Sequence, residues 1–156
     1  MSNEAYQQAI EEIRQELSET EDIISIDPDD LHAHGYSEWS SVNVDTLPVA
    51  VAYPRSTEQV SAIARVCYRY KIPIIPFSGG SSLEGHISAP FGGITIDFAH
   101  MDQILRYSAE DMDVTVQPGI VWTDMNTELA KRGGQLFFPV DPGKYTLMLS
   151  NTLLRA

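Results

Sequence analysis

Tyr6, Ile10, Ile13 and Leu17 recur at steps of three and four residues, the spacing that lines one side of a helix. This predicts an amphipathic helix from about Asn3 to Ser18, with Glu4 in the first turn, where the helix dipole favours an acid. Such a stripe needs a second surface to bury it. The next apolar run, IISI (23–26), reads as one short strand, and Pro28 followed by Asp29 and Asp30 predicts a turn. The acids crowded around that run read as a solvated connection, with an acidic interaction motif as the sharper alternative.

Beyond Leu47 the periods alternate. PVAVAYP (48–54) is a short strand pattern, and RSTEQVSAIARVCYRYKIP (55–73) switches to helical spacing with Val60, Ile63, Ala64 and Cys67 on one face. Ser56 with Gln59 three residues on forms a capping box, and Lys71 and Pro73 close the helix. IPIIPF (72–77) and GGITIDF (92–98) are further strands. MDQILRYS (101–108) and DMDVTVQPG (111–119) pair across a turn at Glu110 and Asp111, with Val114 and Val116 on the covered face. Thr123 is placed to cap a helix bearing Met125 and Leu129, which Gly133 and Gly134 stop; QLFFPV (135–140) is the last strand. The class is α+β or split βαβ, with a mixed sheet.

Composition narrows the chemistry. With 156 residues, 43% hydrophobic and 21% charged, one globular domain is expected. Twenty-two acids against 10 bases give a formal charge of −12, so no long-range field draws this chain to nucleic acid or an anionic membrane. A bound phosphate must be held by local dipoles. Cys67, the single cysteine, forms no internal disulfide and sits in a helical pattern as a small buried hydrophobe. No window approaches the ~20 apolar residues of a membrane span, and the acidic start contrasts with basic leaders, so the chain as written reads as cytoplasmic.

His32 and His34 stand two apart, which on a strand would put both on one side as a metal pair. No cysteine lies nearby and no third ligand has a usual spacing, so polar contacts at the surface or beside a cofactor are the preferred reading of the pair. The stretch IPIIPFSGGSSLEGH (72–86) ends an apolar run in bare backbone. Phosphate binding by main chain needs several N–H groups at one point, and glycines permit that approach. Ser78-Gly79-Gly80-Ser81-Ser82 supplies them, with hydroxyls as further donors. No Lys-Ser or Lys-Thr follows Gly85, which excludes a P-loop, and SLEGHISAP with Pro90 is a poor helix start for a dinucleotide fingerprint. The residues leave two readings: a loop nest for phosphate, or a tight Gly-Gly turn between strands.

PFSGGSSLEGH also resembles the pyrophosphate loop of the FAD-linked oxidase family, which carries a PCMH-type FAD-binding domain. That family includes D-lactate dehydrogenase (cytochrome), the glycolate oxidase flavoprotein subunit and alkyl-dihydroxyacetone-phosphate synthase. Ordered blocks from Asp29 to Cys67, GGITIDFAHMDQIL, DMDVTVQPGIVWTDMN and LFFPVDPG resemble successive blocks of fungal mitochondrial D-lactate dehydrogenases, covering about Asp29 to Gly143. The resemblance implies two α+β lobes with FAD between them, this chain being the first lobe of an incomplete domain. It implies that Pro76, Ser78, Gly79, Gly80, Ser81, Ser82, Gly85 and His86 wrap the FAD pyrophosphate, and that Pro139, Asp141, Pro142 and Gly143 approach from the other side. Trp122, an aromatic beside a helix start, is expected in the core, with a place lining the pocket as the alternative.

By the same resemblance the chain divides into an N-terminal helix and extended segment (1–46), a partial FAD-binding domain (47–143) and a divergent tail (144–156). The family oxidises a 2-hydroxy acid by moving a hydride to the flavin while a base takes the hydroxyl proton. The residues after Gly143 do not match the family's continuation, so no catalytic residue and no metal ligand is assigned. The expectation is a truncated FAD-binding portion, not catalytically complete by itself, that meets a 2-hydroxy acid only in a full-length context. A non-catalytic protein without FAD, or one half of a split flavoprotein, are the alternatives. The uncovered lobe surface is expected to favour self-association, and a missing leader would make the location mitochondrial.

Overall fold

The computed structural model describes residues 3–133, 136–138 and 154–155. The first helix, α1 (Asn3–Glu16), buries Tyr6 and Ile13 of the predicted stripe together with Ala9, while Ile10 and Leu17 are half-buried against the same core. A short strand β1 (Ile24–Ser25) follows. Pro28 then opens a helix where a turn is expected, because Asp27 accepts from the amides of Asp29 and Asp30 and Pro28 fits the first helical position; this is α2, Pro28–Ala33.

Strand β2 (Ala50–Ala52) leads through α3 (Thr57–Tyr70) to β3 (Ile74–Phe77). Ser56 accepts from the Gln59 amide as expected, while the Gln59 side chain reaches the Arg55 amide. Lys71 ends the helix at φ 59°. The buried face of α3 is Ala62, Ile63, Val66 and Cys67: Ile63 and Cys67 keep their expected place, and the face is turned so that the expected Val60 and Ala64 are half-buried. The cause is α1, which lies along that flank. Tyr70 donates to Glu12, and Arg69 and Arg65 pair with Glu12 and Glu16.

Strand β4 (Ile94–Asp97) inserts between β2 and β3 and runs parallel to both, with β1 antiparallel on the outer side of β2, giving the order β1-β2-β4-β3. This is the split βαβ arrangement with a mixed sheet. Ala50, Ala52, Ile94 and Ile96 join residues of α1 and α3 in one core. Alternation sends Val51, Thr95 and Asp97 to the opposite face, on the side of α2.

A hairpin of β5 (Ile104–Ser108) and β6 (Asp113–Val116) follows as expected, and β7 (Leu154–Arg155) pairs antiparallel with β6. Helix α4 (Trp122–Lys131) buries Met125 and Leu129 against Val114, Val116 and Ile120, a second and separate core. Thr123 does not cap it; the cap position is Val121, which makes no side-chain cap bond. Trp122 is half-buried. Leu136–Phe138 carry no strand, because the amide and carbonyl of Phe138 are taken by the Asn126 side chain at 2.6 and 3.0 Å; the rest of that expected strand lies outside the described residues.

The regions meet at Gly119. A Cβ there would lie 2.0 Å from the Phe98 carbonyl oxygen, so only glycine permits this closeness of backbone. Among the described residues no helix is long and apolar enough to cross a membrane.

Candidate functional site

Parallel strands β2, β4 and β3 present their carboxyl ends together, where open α/β sheets place ligands. From the end of β3 the chain leaves as the glycine stretch, residues 78–93, before returning in β4. Pro76 lies within β3, on the sheet edge, where the missing N–H breaks no ladder. Among the described residues, the amides of Gly79, Gly80 and Ser81 donate to no protein acceptor. Gly80 has φ +61°, and a Cβ there would press to 3.0 Å from the Phe77 ring. Backbone is thus offered where a side chain would be strained by the left-handed φ and crowded by the Phe77 ring.

The hydroxyls behave differently from the expectation that several donate to a ligand. Ser78 is buried, its Oγ donating to the Pro118 carbonyl at 2.9 Å. Ser82 Oγ is engaged by His86 Nδ1 and by the Glu84 amide. Ser78 therefore anchors the loop to the seam between the two regions, and Ser82 shapes its own turn. Gly85 (φ +74°) packs beside Val42, and His86 is exposed. Pro139, Asp141, Pro142 and Gly143 lie outside the described residues.

The segment after α2 forms the facing wall. Ser41 donates its amide and hydroxyl to the Leu83 carbonyl, both at 2.8 Å. Between this wall and the loop lies a hollow of about 330 Å³ bordered by Tyr36, Trp39, Phe77, Gly80 and Ile87, with Trp39 72% exposed. A larger cavity, about 580 Å³, lies away from the glycine stretch against α4; Asp102, Asp124 and Glu128 line it with Arg132, three carboxylates against one cation, a balance unfavourable to a diphosphate.

Sequence reading missed the polar cluster beneath the loop. His32 and His34 are not side by side on a strand: α2 ends between them, His32 stacks on Tyr36, and His34 turns inward. His34 Nε2 donates to Asp97 Oδ2 at 2.8 Å, and Nδ1 donates to the Asp30 carbonyl at 2.8 Å. Both nitrogens face acceptors, the arrangement of an imidazolium. Burial opposes the charge most strongly, but the Asp97 bond, the Asp30 carbonyl and both carboxylates together outweigh it and hold the imidazole above its ordinary pKa. Tyr53 donates to Asp30 Oδ1 at 2.6 Å, and burial together with that neighbouring carboxylate raises its phenol. The Asp-Pro-Asp-Asp run before these histidines was the available signal: an N-cap with proline at the first helical position. Cys67 is buried as expected, and burial pushes its thiol up to about 11.

Residues 48–149 match the FAD binding domain family. The chain belongs to that family. This FAD-binding domain resembles D-lactate dehydrogenase [cytochrome], mitochondrial, of Arabidopsis thaliana, with 42% identity over 139 residues, covering 88% of this chain and 24% of the relative. It is 37% identical to the protein of the same name from Kluyveromyces lactis, over 90% of this chain and 25% of that one. The chain therefore spans about a quarter of the length of these relatives. Among solved structures, 4-ethylphenol oxidase from Gulosibacter chungangensis superposes with a TM-score of 0.83 at 22% identity, over 94% of this chain and 28% of that one. Alkyldihydroxyacetonephosphate synthase gives 0.76 at 22% identity, over 89% of this chain and 28% of its own. These two likenesses establish the shared fold, and the domain's cofactor is FAD. The unbonded amides and the missing side chain at Gly80 suit a diphosphate, so the residues present fit that group.

Proposed function

We propose that the FAD diphosphate lies on the main chain of Ser78–Ser82, with Gly85 and His86 shaping the loop behind it and Pro76 fixing its exit from β3. The observation that carries this reading is the set of amides at Gly79, Gly80 and Ser81, left without a protein acceptor at the carboxyl end of parallel strands. A net charge of −12 makes such local donors the means by which this chain can hold an anion. The loop uses no helix N-terminus: main-chain dipoles supply the field. Pro139, Asp141, Pro142 and Gly143 complete the cofactor site in this proposal, as the family resemblance implies.

When bound, the FAD would supply a hydride acceptor for the oxidation of a 2-hydroxy acid, the chemistry named by the D-lactate dehydrogenase relatives. This chain's share is to bind and orient the cofactor; no catalytic base is assigned to it. The mitochondrial naming of those relatives supports the same address for the protein.

Titration of the purified chain with FAD, read by quenching of flavin fluorescence, tests the binding claim. Saturable quenching is expected. Gly80→Ala should weaken it about tenfold, since an L-residue in the left-handed region costs roughly 1–2 kcal/mol. Absence of any saturable signal from the folded unsubstituted chain would overturn the reading.

A further inference from the structure

We infer that His34 is a positioning residue for the glycine loop, acting through Phe77 to hold Gly80 in the geometry that presents its amide. The inference deepens the proposed FAD site and rests on it for its functional meaning, although the contact geometry stands without a ligand.

Three links carry it. His34 is 7% exposed and spans from the end of α2 to the end of β4: Asp97 Oδ2 takes one nitrogen and the Asp30 carbonyl takes the other. The imidazole is therefore fixed in position and orientation by two bonds on opposite sides of the ring. The ring packs in a tilted contact against Phe77, with ring centroids 4.4 Å apart and planes inclined at 55°. Phe77 is the last residue of β3, and its ring occupies the space that a Gly80 side chain would need, with Cζ 3.0 Å from that Cβ position. Moving Phe77 removes the wall against which Gly80 adopts φ +61°.

The surroundings explain why the imidazole is held so firmly. Asp97 Oδ1 accepts from the Ala99 amide at 2.8 Å, and Asp30 Oδ1 accepts from Tyr53 at 2.6 Å. Asp30 comes from α2, Asp97 from β4, and Tyr53 follows β2. Three elements therefore meet on one ring. A buried ring whose partners are all satisfied makes a defined support, whereas an apolar substitute would leave two carboxylates without their cation.

The experiment compares the unsubstituted chain, His34→Gln, His34→Ala and Phe77→Leu by amide NMR of Gly79, Gly80 and Ser81 without ligand, and by FAD titration. His34→Ala and Phe77→Leu are expected to shift the Gly80 amide resonance and weaken FAD at least about tenfold. His34→Gln, which restores a donor toward Asp97, is expected to keep the resonance near its original position and affinity within about threefold. Ile63→Val, a core change remote from the loop, serves as control for lost stability alone and should leave the Gly80 resonance in place. Unmoved Gly80 resonances in His34→Ala and Phe77→Leu overturn the inference. If His34→Ala does not fold, Phe77→Leu and His34→Gln decide by the same resonance. If the unsubstituted chain binds no FAD while its Gly80 resonance responds to His34, the positioning role stands and the proposed binding site falls.

Discussion

The sheet region and the hairpin region bury their apolar residues by different means. In the first, α1 and α3 cover one face of four strands, and Ala9, Ile13, Ile63, Val66, Cys67, Ile94 and Ile96 form one continuous core. Its helix α3 carries a side-chain N-cap and a left-handed C-cap. In the second, α4 lies against a single hairpin face, its core is Val114, Val116, Ile120, Met125 and Leu129, and its helix starts without a side-chain cap. The candidate loop belongs to the first region through β3 and is tied to the second where Ser78 bonds Pro118. The contrast teaches that the loop's footing is the better-covered core, while the hairpin forms a neighbouring wall with its own, smaller cohesion.

The largest expected effect separates those cores. Ile63→Ala should cost about 2–5 kcal/mol and lower the urea midpoint of the whole chain, because a fully buried residue is removed between helix and sheet. Met125→Ala, equally buried, should cost a similar amount locally. Hydrogen exchange should then show faster exchange in β5, β6 and α4 with little change in β2, β3 and β4. Equal acceleration everywhere would show the two cores to be one cooperative unit.

An intermediate effect concerns pH and belongs to the sheet region alone. The His34 pKa lies above its ordinary value of 6.5 in the folded chain, so its stabilising contribution is complete below 6.5 and is lost as pH rises through the raised value. The urea midpoint should therefore fall on going from acid to alkaline across that window, and His34→Gln should flatten the fall. A profile unchanged by that substitution would remove His34 from the account.

The smallest pair compares helix starts. Ser56→Ala should destabilise α3 by about 1 kcal/mol, since the Gln59 amide loses its acceptor. Val121→Ser should stabilise α4 by roughly half that, because the position already has the extended backbone of a cap, φ −83° and ψ 135°. Thermal melts of the two variants moving in opposite directions would confirm that capping is one of the differences between the regions.

Elements set by local chemistry were legible from the residues. The α1 stripe, the Ser56 cap, the β5–β6 hairpin and the buried Val114 and Val116 all follow from period and turn chemistry over a few residues. The glycine stretch was legible for the same reason: exposed main chain after an apolar run is visible without knowing what faces it. Misreadings arose where distant segments decide. The buried face of α3 turned because α1 lies beside it, and the hydroxyl of Ser78 is occupied because Pro118 comes within reach. Thr123 is passed over as a cap because the cap position is Val121, two residues earlier, which places Thr123 inside the first turn.

The chain alone determined the α+β class, the mixed split βαβ pattern and the place of a glycine loop, open between a phosphate nest and a tight turn, because periodicity, capping and φ freedom are properties of neighbours in sequence. Only the tertiary structure decided that His34 meets Asp97 across 63 positions and stands against Phe77 rather than beside His32 as a metal ligand. The reason is physical. A buried imidazole takes its role from whatever acceptors the folded sheet brings within hydrogen-bond distance, and no spacing along the chain specifies which those will be.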